Sequence, residues 1–173
     1  MIPARGAGYA LFALAGLLLA VAVASGWHGA SRLMGREDET TAVRTVAAAF
    51  VAAAGTYDFA DAGSYTHRIE PLAVGGLRDA LAPVVLDATV RTQRRSVATE
   101  VESASVTSLS DEAAVAIVTA VQSRRWFDAA SGGETEQHVR QHTNCRLVHE
   151  DERWLVAEIR LLSEEPARVE QSR

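Results

Sequence analysis

The sequence predicts an α+β domain behind an N-terminal membrane helix, from three observations. Residues Gly6 to Trp27 form an uncharged apolar run. Between Thr41 and Pro83, apolar residues recur every three or four positions, the spacing of a helix face. Beyond Pro83 the period shortens to two and β-branched residues dominate. Helices gathered ahead of a run of strands specify helices laid on one antiparallel sheet. About three helices on a curved sheet of four or more strands fit this order.

The first element, "GAGYALFALAGLLLAVAVASGW", would extend about 33 Å as a helix at ~1.5 Å per residue, enough for a hydrocarbon core of about 30 Å. Tyr9 and Trp27 stand near its ends, where interfacial aromatics sit. A cleaved signal peptide competes with the anchor, because "AVAS" (Ala22 to Ser25) offers an A-x-A site. The run is longer than a usual signal core, which favours an uncleaved single-pass anchor. Arg5 precedes the span, while Arg32, Arg36 and Arg44 follow it, so counting arginines alone does not settle orientation. A very short tail before a long folded domain behaves as a signal-anchor and places the domain outside the cytoplasm. Residues 1–27 are thus tail and anchor, and 28–39 a polar juxtamembrane linker. Residues 40–165 form the extracytoplasmic domain, and 166–173 a flexible tail.

The domain opens with a helix over Thr41 to Ala54, capped by Thr40 or Thr41 and ended by Gly55. Val43, Val46, Ala47, Phe50, Val51, Ala54 and Tyr57 share its apolar face. "DFADAGSYTHRIEPL" gives a second helix, with Ala62, Tyr65, Ile69 and Leu72 together and Pro71 as its end. "AVGGLRDALAP" gives a third, with Leu77 and Leu81 on one side and Pro83 as its stop. From there the chain reads as strands. Val97, Thr99, Val101, Ser103 and Ser105 alternate, and Val115, Ile117 and Val121 mark a buried strand. Val139, Cys145 and Leu147 oppose His138, Arg140, His142 and Arg146, and Leu155, Ala157, Ile159 and Leu161 face together behind Trp154. "SLSDEA", "DAASGGE" and "HEDER" carry turn residues between these runs. Gly75-Gly76 and Gly132-Gly133 read as turn pairs.

The formal net charge is -5, which argues against nucleic-acid binding, and all 17 basic residues are arginine. One cysteine, Cys145, excludes an internal disulfide. His138 and His142 form an H-x-x-x-H, but on a strand they stand about 13 Å apart, too far for one metal ion. No Walker loop, no G-x-S-x-G and no C-x-x-C is present. Metal, cofactor and catalytic residues are therefore assigned to none. Arg91, Arg94 and Arg95, with Arg124 and Arg125, form a partner-docking patch if their strands are neighbours.

The long helix ending in "GTYDFAD", then "YTHRIEPLAVGGL", "ASVTSLSDEAAVAIVTAV" and "EDERWLVAEI", resemble the NTF2-like superfamily in order and pattern. The resemblance runs over nearly the whole chain after the anchor and is nearest to two membrane-anchored branches. One comprises VirB8-like and TcpC-like conjugation proteins, the other the actinobacterial Mce-associated membrane proteins. It implies a cone-shaped sheet over the helices. It also implies a non-enzymatic scaffold in a cell-envelope complex: a conjugation or type IV secretion channel that contacts other subunits and can self-associate, or alternatively an accessory of lipid transport. Other members of the superfamily use an acid-base residue and a tyrosine inside the cone. That makes Tyr57, Asp58, Asp61, Tyr65 and His67 the alternative site, with Trp154 as a further lining residue, for a small-ligand binder or enzyme. An enclosed pocket would favour that alternative; a filled cone would oppose it.

Overall fold

The structure, a computed structural model, describes residues 36–85 and 88–167. The chain divides after Glu39, and the unit from Thr40 onward carries the elements below except the first four residues of the first helix. The predicted span Gly6–Trp27 lies outside the described residues. Among the described residues, no helix is long and apolar enough to cross a membrane.

Helix α1 is helical from residue 36 to residue 55, so residues 36–39, predicted as linker, are helical instead. It is followed by β1 (Tyr57–Asp58), α2 (Ala62–Ile69), a 3-10 turn (Glu70–Leu72), α3 (Gly75–Val85) and α4 (Ala88–Thr92). Four long strands then run as β2 (Ser96–Leu109), β3 (Ala113–Asp128), β4 (Gly133–Glu150) and β5 (Arg153–Pro166). All five strands pair antiparallel in the order β1-β2-β3-β4-β5, a meander of sequential neighbours.

The predicted apolar face of α1 is the face it buries. Val43, Ala47 and Phe50 are fully buried and Val51 nearly so. They pack on Ala114, Ala116, Val118 and Ala120 of β3, Cys145 and Leu147 of β4, and Trp154 and Val156 of β5. The helical layer is also tied to the sheet through backbone. Ala73 bridges Val156, and the Val74 N–H donates to the Val156 carbonyl at 3.0 Å.

Several expectations need correction. Tyr57 lies on a two-residue strand rather than on a helix face, because α1 ends at Gly55 and the chain turns to pair with β2. Helix α3 passes Pro83 and ends at Val85. A proline removes one N–H donor, and so close to the helix end the remaining turn survives that loss. Gly75 and Gly76 form the first turn of that helix, not a separate turn. Helix α4 stands where a strand was expected.

On β3 the buried residues are Ala114, Ala116, Val118 and Ala120, three of the four small, and Val115, Ile117 and Val121 face the other way, half-buried. Alanine on the inner face lets α1 approach the sheet closely. On β2 and β5, β-bulges displace the alternation. Register shifts between Val101 and Ser103 and between Val106 and Ser108 turn Ala104, Val106 and Leu109 inward in place of Ser103 and Ser105. On β5, Trp154 and Val156 are buried, not Leu155 and Ala157, and a shift opposite Arg146/Leu147 brings Ile159 to the core side. Such bulges add bend and twist, which curls the sheet around the helices. The first two residues of the predicted tail, Pro166 and Ala167, are tied to β4, and residues 168–173 lie outside the described residues. Pro166 still pairs with Val139, and the Ala167 N–H donates to the His138 carbonyl at 2.9 Å.

Candidate functional site

The predicted site residues scatter in an informative way. Tyr57 and Asp58 line one open depression of about 250 Å³ between α2, β1 and the joined ends of β2 and β3. Tyr65 stands behind it, 3% exposed, its hydroxyl donating to the Ala54 carbonyl at 3.1 Å. Burial pushes the Tyr65 phenol above its ordinary pKa, so it stays protonated through neutral pH. Trp154 lies in the main core, stacked on His149 with ring centroids 4.7 Å apart. His67 points to solvent, 3.7 Å from Glu70. Helix α2 explains this separation: Tyr65 and Ile69, four apart, take its buried face, and His67 falls on the opposite side.

Local hydrogen bonds occupy the two acids. Asp58 Oδ1 accepts the Ala60 N–H at 2.8 Å, and Asp61 caps α2 by accepting the Ser64 N–H at 3.4 Å. Arg68, which the sequence reading did not single out, reaches back into the depression from α2. It donates to the Thr56 carbonyl at 2.7 Å and to the Ser64 hydroxyl, while its Nε is buried without an acceptor. Its only sequence signal is its place next to Ile69, on the shoulder of the buried face.

The sheet register sets Arg124 and Arg125 beside the start of β2. Ser96 pairs with Arg125 and Val97 with Arg124, so the start of β2 abuts the end of β3. Arg94 and Arg95 immediately precede β2, and Arg91 lies in α4, not on a strand. The α4 terminus is a Schellman turn. The Arg95 N–H donates to the Val90 carbonyl and the Arg94 N–H to the Arg91 carbonyl, with Arg94 at φ 48°. That left-handed position normally belongs to glycine, and here it carries an exposed arginine. Hydrogen bonds from Phe127 N–H to the Gln93 carbonyl (2.7 Å) and from Phe59 N–H to the Arg95 carbonyl (3.2 Å) pin the turn on both sides. Arg95 and Arg124 line a second depression of about 250 Å³, and Tyr57 and Val97 form the wall it shares with the first.

On the outer sheet face His138 and His142 accept or donate to separate hydroxyls, Ser123 at 2.9 Å and Thr119 at 3.1 Å. Among the described residues no group of three or more His, Cys, Asp or Glu side chains is placed to hold a metal. Inside the cone, Phe50 and Trp154 fill the space between α1 and the sheet. A groove of about 200 Å³ lies on the concave side beside Phe50, Leu81, Ile159 and Leu161.

No protein-family model and no curated protein matches the chain. Among solved structures it is similar to an "Ntf2 like protein involved in plasmid conjugation", with TM-score 0.52 and 12% identity over 76% of this chain. It spans about half of that protein, 52% of its chain. An IcmL-like type IV secretion system protein from Legionella pneumophila aligns with TM-score 0.48 and 13% identity, covering 75% of this chain and 94% of that one. The intermembrane space region of the chloroplast protein ARC6 aligns with TM-score 0.43 and 14% identity, covering 57% and 78%. The first of these likenesses and the curled five-stranded sheet over its helices define an NTF2-like fold.

Proposed function

We propose that this chain is a non-catalytic scaffold or accessory subunit of a cell-envelope complex, most like a VirB8-type component of a conjugation or type IV secretion channel. In this reading the apolar run Gly6–Trp27 anchors it in the membrane, and the NTF2-like domain stands outside the cytoplasm. The observation that carries the scaffold reading over a ligand-binding one is the filled cone. Phe50, Leu147 and Val156 are fully buried and Trp154 nearly so, where a ligand chamber would have to open. The similar structure from plasmid conjugation supports the choice of assembly.

Two experiments test it. Deleting the gene and measuring DNA transfer between cells should lower transfer, with recovery on complementation. Undiminished transfer together with defective lipid uptake would replace the channel reading by the Mce-associated one. Protease added to intact spheroplasts should digest the domain, and protection from it would overturn the extracytoplasmic placement.

A further inference from the structure

We propose that the arginine-lined end of the sheet is the docking surface for an acidic segment of a protein partner, an extended stretch rich in glutamate or aspartate. The proposal deepens the scaffold reading, on which it rests.

The first argument is charge left unneutralised. Elsewhere most arginines are matched: Arg78 sits on Glu70, Arg140 on Glu102, and Arg146 and Arg160 on Glu158, while Arg44 and Arg153 stand alone among the described residues. At this end Arg124 is taken up by Glu164. Among the described residues, Arg68, Arg94, Arg95 and Arg125 have no carboxylate partner. The buried Nε atoms of Arg68 and Arg95 have no acceptor at all. Four guanidiniums without a carboxylate partner thus lie around one end of the sheet, alongside Asp58 and Asp61.

The second argument is backbone. Arg94 holds φ 48° at a helix terminus that favours glycine. A strained non-glycine residue that projects a guanidinium to solvent points to use of that guanidinium.

The third argument selects the partner. Phe127 is 38% exposed and lies two residues beyond Arg125 on β3, hence on the same sheet face. Arginine and exposed aromatics together characterise the centres of protein–protein interfaces. The two depressions, each about 250 Å³, are sized for side chains rather than for a flat lipid surface. A carboxylate entering between Arg68 and Arg125 also meets the hydroxyls of Ser64, Ser96 and Ser123.

The test uses the full chain in a neutral detergent and a fluorescein-labelled octaglutamate peptide, followed by anisotropy at about 150 mM salt. Saturable binding is expected. Arg94→Glu with Arg125→Glu should weaken it at least about tenfold, whereas Arg160→Glu, on the far part of β5, should leave it unchanged. Arg94→Gly should raise the thermal midpoint while weakening binding, a pairing that a purely structural arginine would not give. Absence of binding, equal loss with Arg160→Glu, or tighter binding of anionic vesicles or an oligonucleotide would each overturn the proposal. Because the readout is binding in vitro, its failure leaves the DNA-transfer result standing, and the reverse also holds.

Discussion

Arg124 on β3 grips Glu164 on β5 across the whole width of β4. Its two terminal nitrogens donate at 3.0 and 2.6 Å to the two carboxylate oxygens, and Gln141 of the intervening strand adds a third bond at 2.6 Å. The fork geometry and partial burial, 17% and 33% side-chain exposure, set this pair apart from the looser surface pairs. The Arg124 hydrogen bond, followed by that from Gln141, holds the Glu164 carboxyl below its ordinary pKa. A carboxylate so depressed contributes stability above its unfolded pKa and loses it as pH falls through the folded value. Glu164→Gln should therefore cost about 1 kcal/mol at neutral pH. Urea melts at neutral and strongly acid pH should show that deficit shrinking on the acid side; a deficit constant with pH would mean the carboxylate charge is not involved.

Gly55 sits where α1 meets the sheet. A Cβ there would lie 2.5 Å from Thr99 Oγ1 and 2.9 Å from Gln122 Nε2. In an isolated helix, Gly→Ala would stabilise by about 1 kcal/mol. Here the clash opposes that gain, and overpacking costs typically 1–3 kcal/mol. Gly55→Ala is expected to be net destabilising, and Gly55→Ala with Thr99→Ala should recover part of the loss. A Gly55→Ala protein that melts higher than wild type would show that Thr99 and Gln122 move aside freely.

Cys145 is fully buried, and desolvation pushes its thiol up to about 12. Thiolate is the reactive form, so a disulfide reagent at pH 8 should label the native protein only at the rate of unfolding. Labelling should become immediate in denaturant. Rapid native labelling would place Cys145 outside the core.

The long-range order was legible in the sequence because helix and strand periods differ: the face of α1 and four strand runs are there, although α4 takes the start of the first run. The facing of β3 was not, because pattern reading assigns the larger apolar residues to the core. The core instead needs space for α1, so Ala114, Ala116 and Ala120 go inward with Val118, and Val115, Ile117 and Val121 outward. The bulges in β2 and β5 were likewise invisible, since one extra residue leaves composition unchanged. At the candidate site the arginines could be named but not grouped. Their meeting depends on the pairing of Ser96 with Arg125, which no local signal encodes. The inverted facing gives its own test. Ala116→Leu should destabilise by about 1–3 kcal/mol through overpacking, while Ile117→Ala should cost less than a core deletion of about 2–5 kcal/mol. Chemical denaturation of the two variants decides it, and the opposite order would restore the simple alternation.

The turn that closes the final hairpin carries strain that glycine would relieve. Asp151 and Glu152, between β4 and β5, have φ of 48° and 62°, the two left-handed central residues of a type I′ turn. This conformation suits the right-handed twist of the flanking strands, but glutamate pays a steric penalty there that glycine does not. Asparagine and aspartate tolerate the left-handed region better than glutamate, so the second position is the worse fitted of the two. Glu152→Gly should stabilise the domain by up to about 1 kcal/mol, since the relieved strain outweighs the extra freedom glycine gives the unfolded chain. The opposite change in bulk, Glu152→Val, should destabilise, because a β-branched side chain resists positive φ most strongly. Paired urea midpoints check both. A Glu152→Gly protein less stable than wild type would mean the turn relaxes out of the left-handed region in solution.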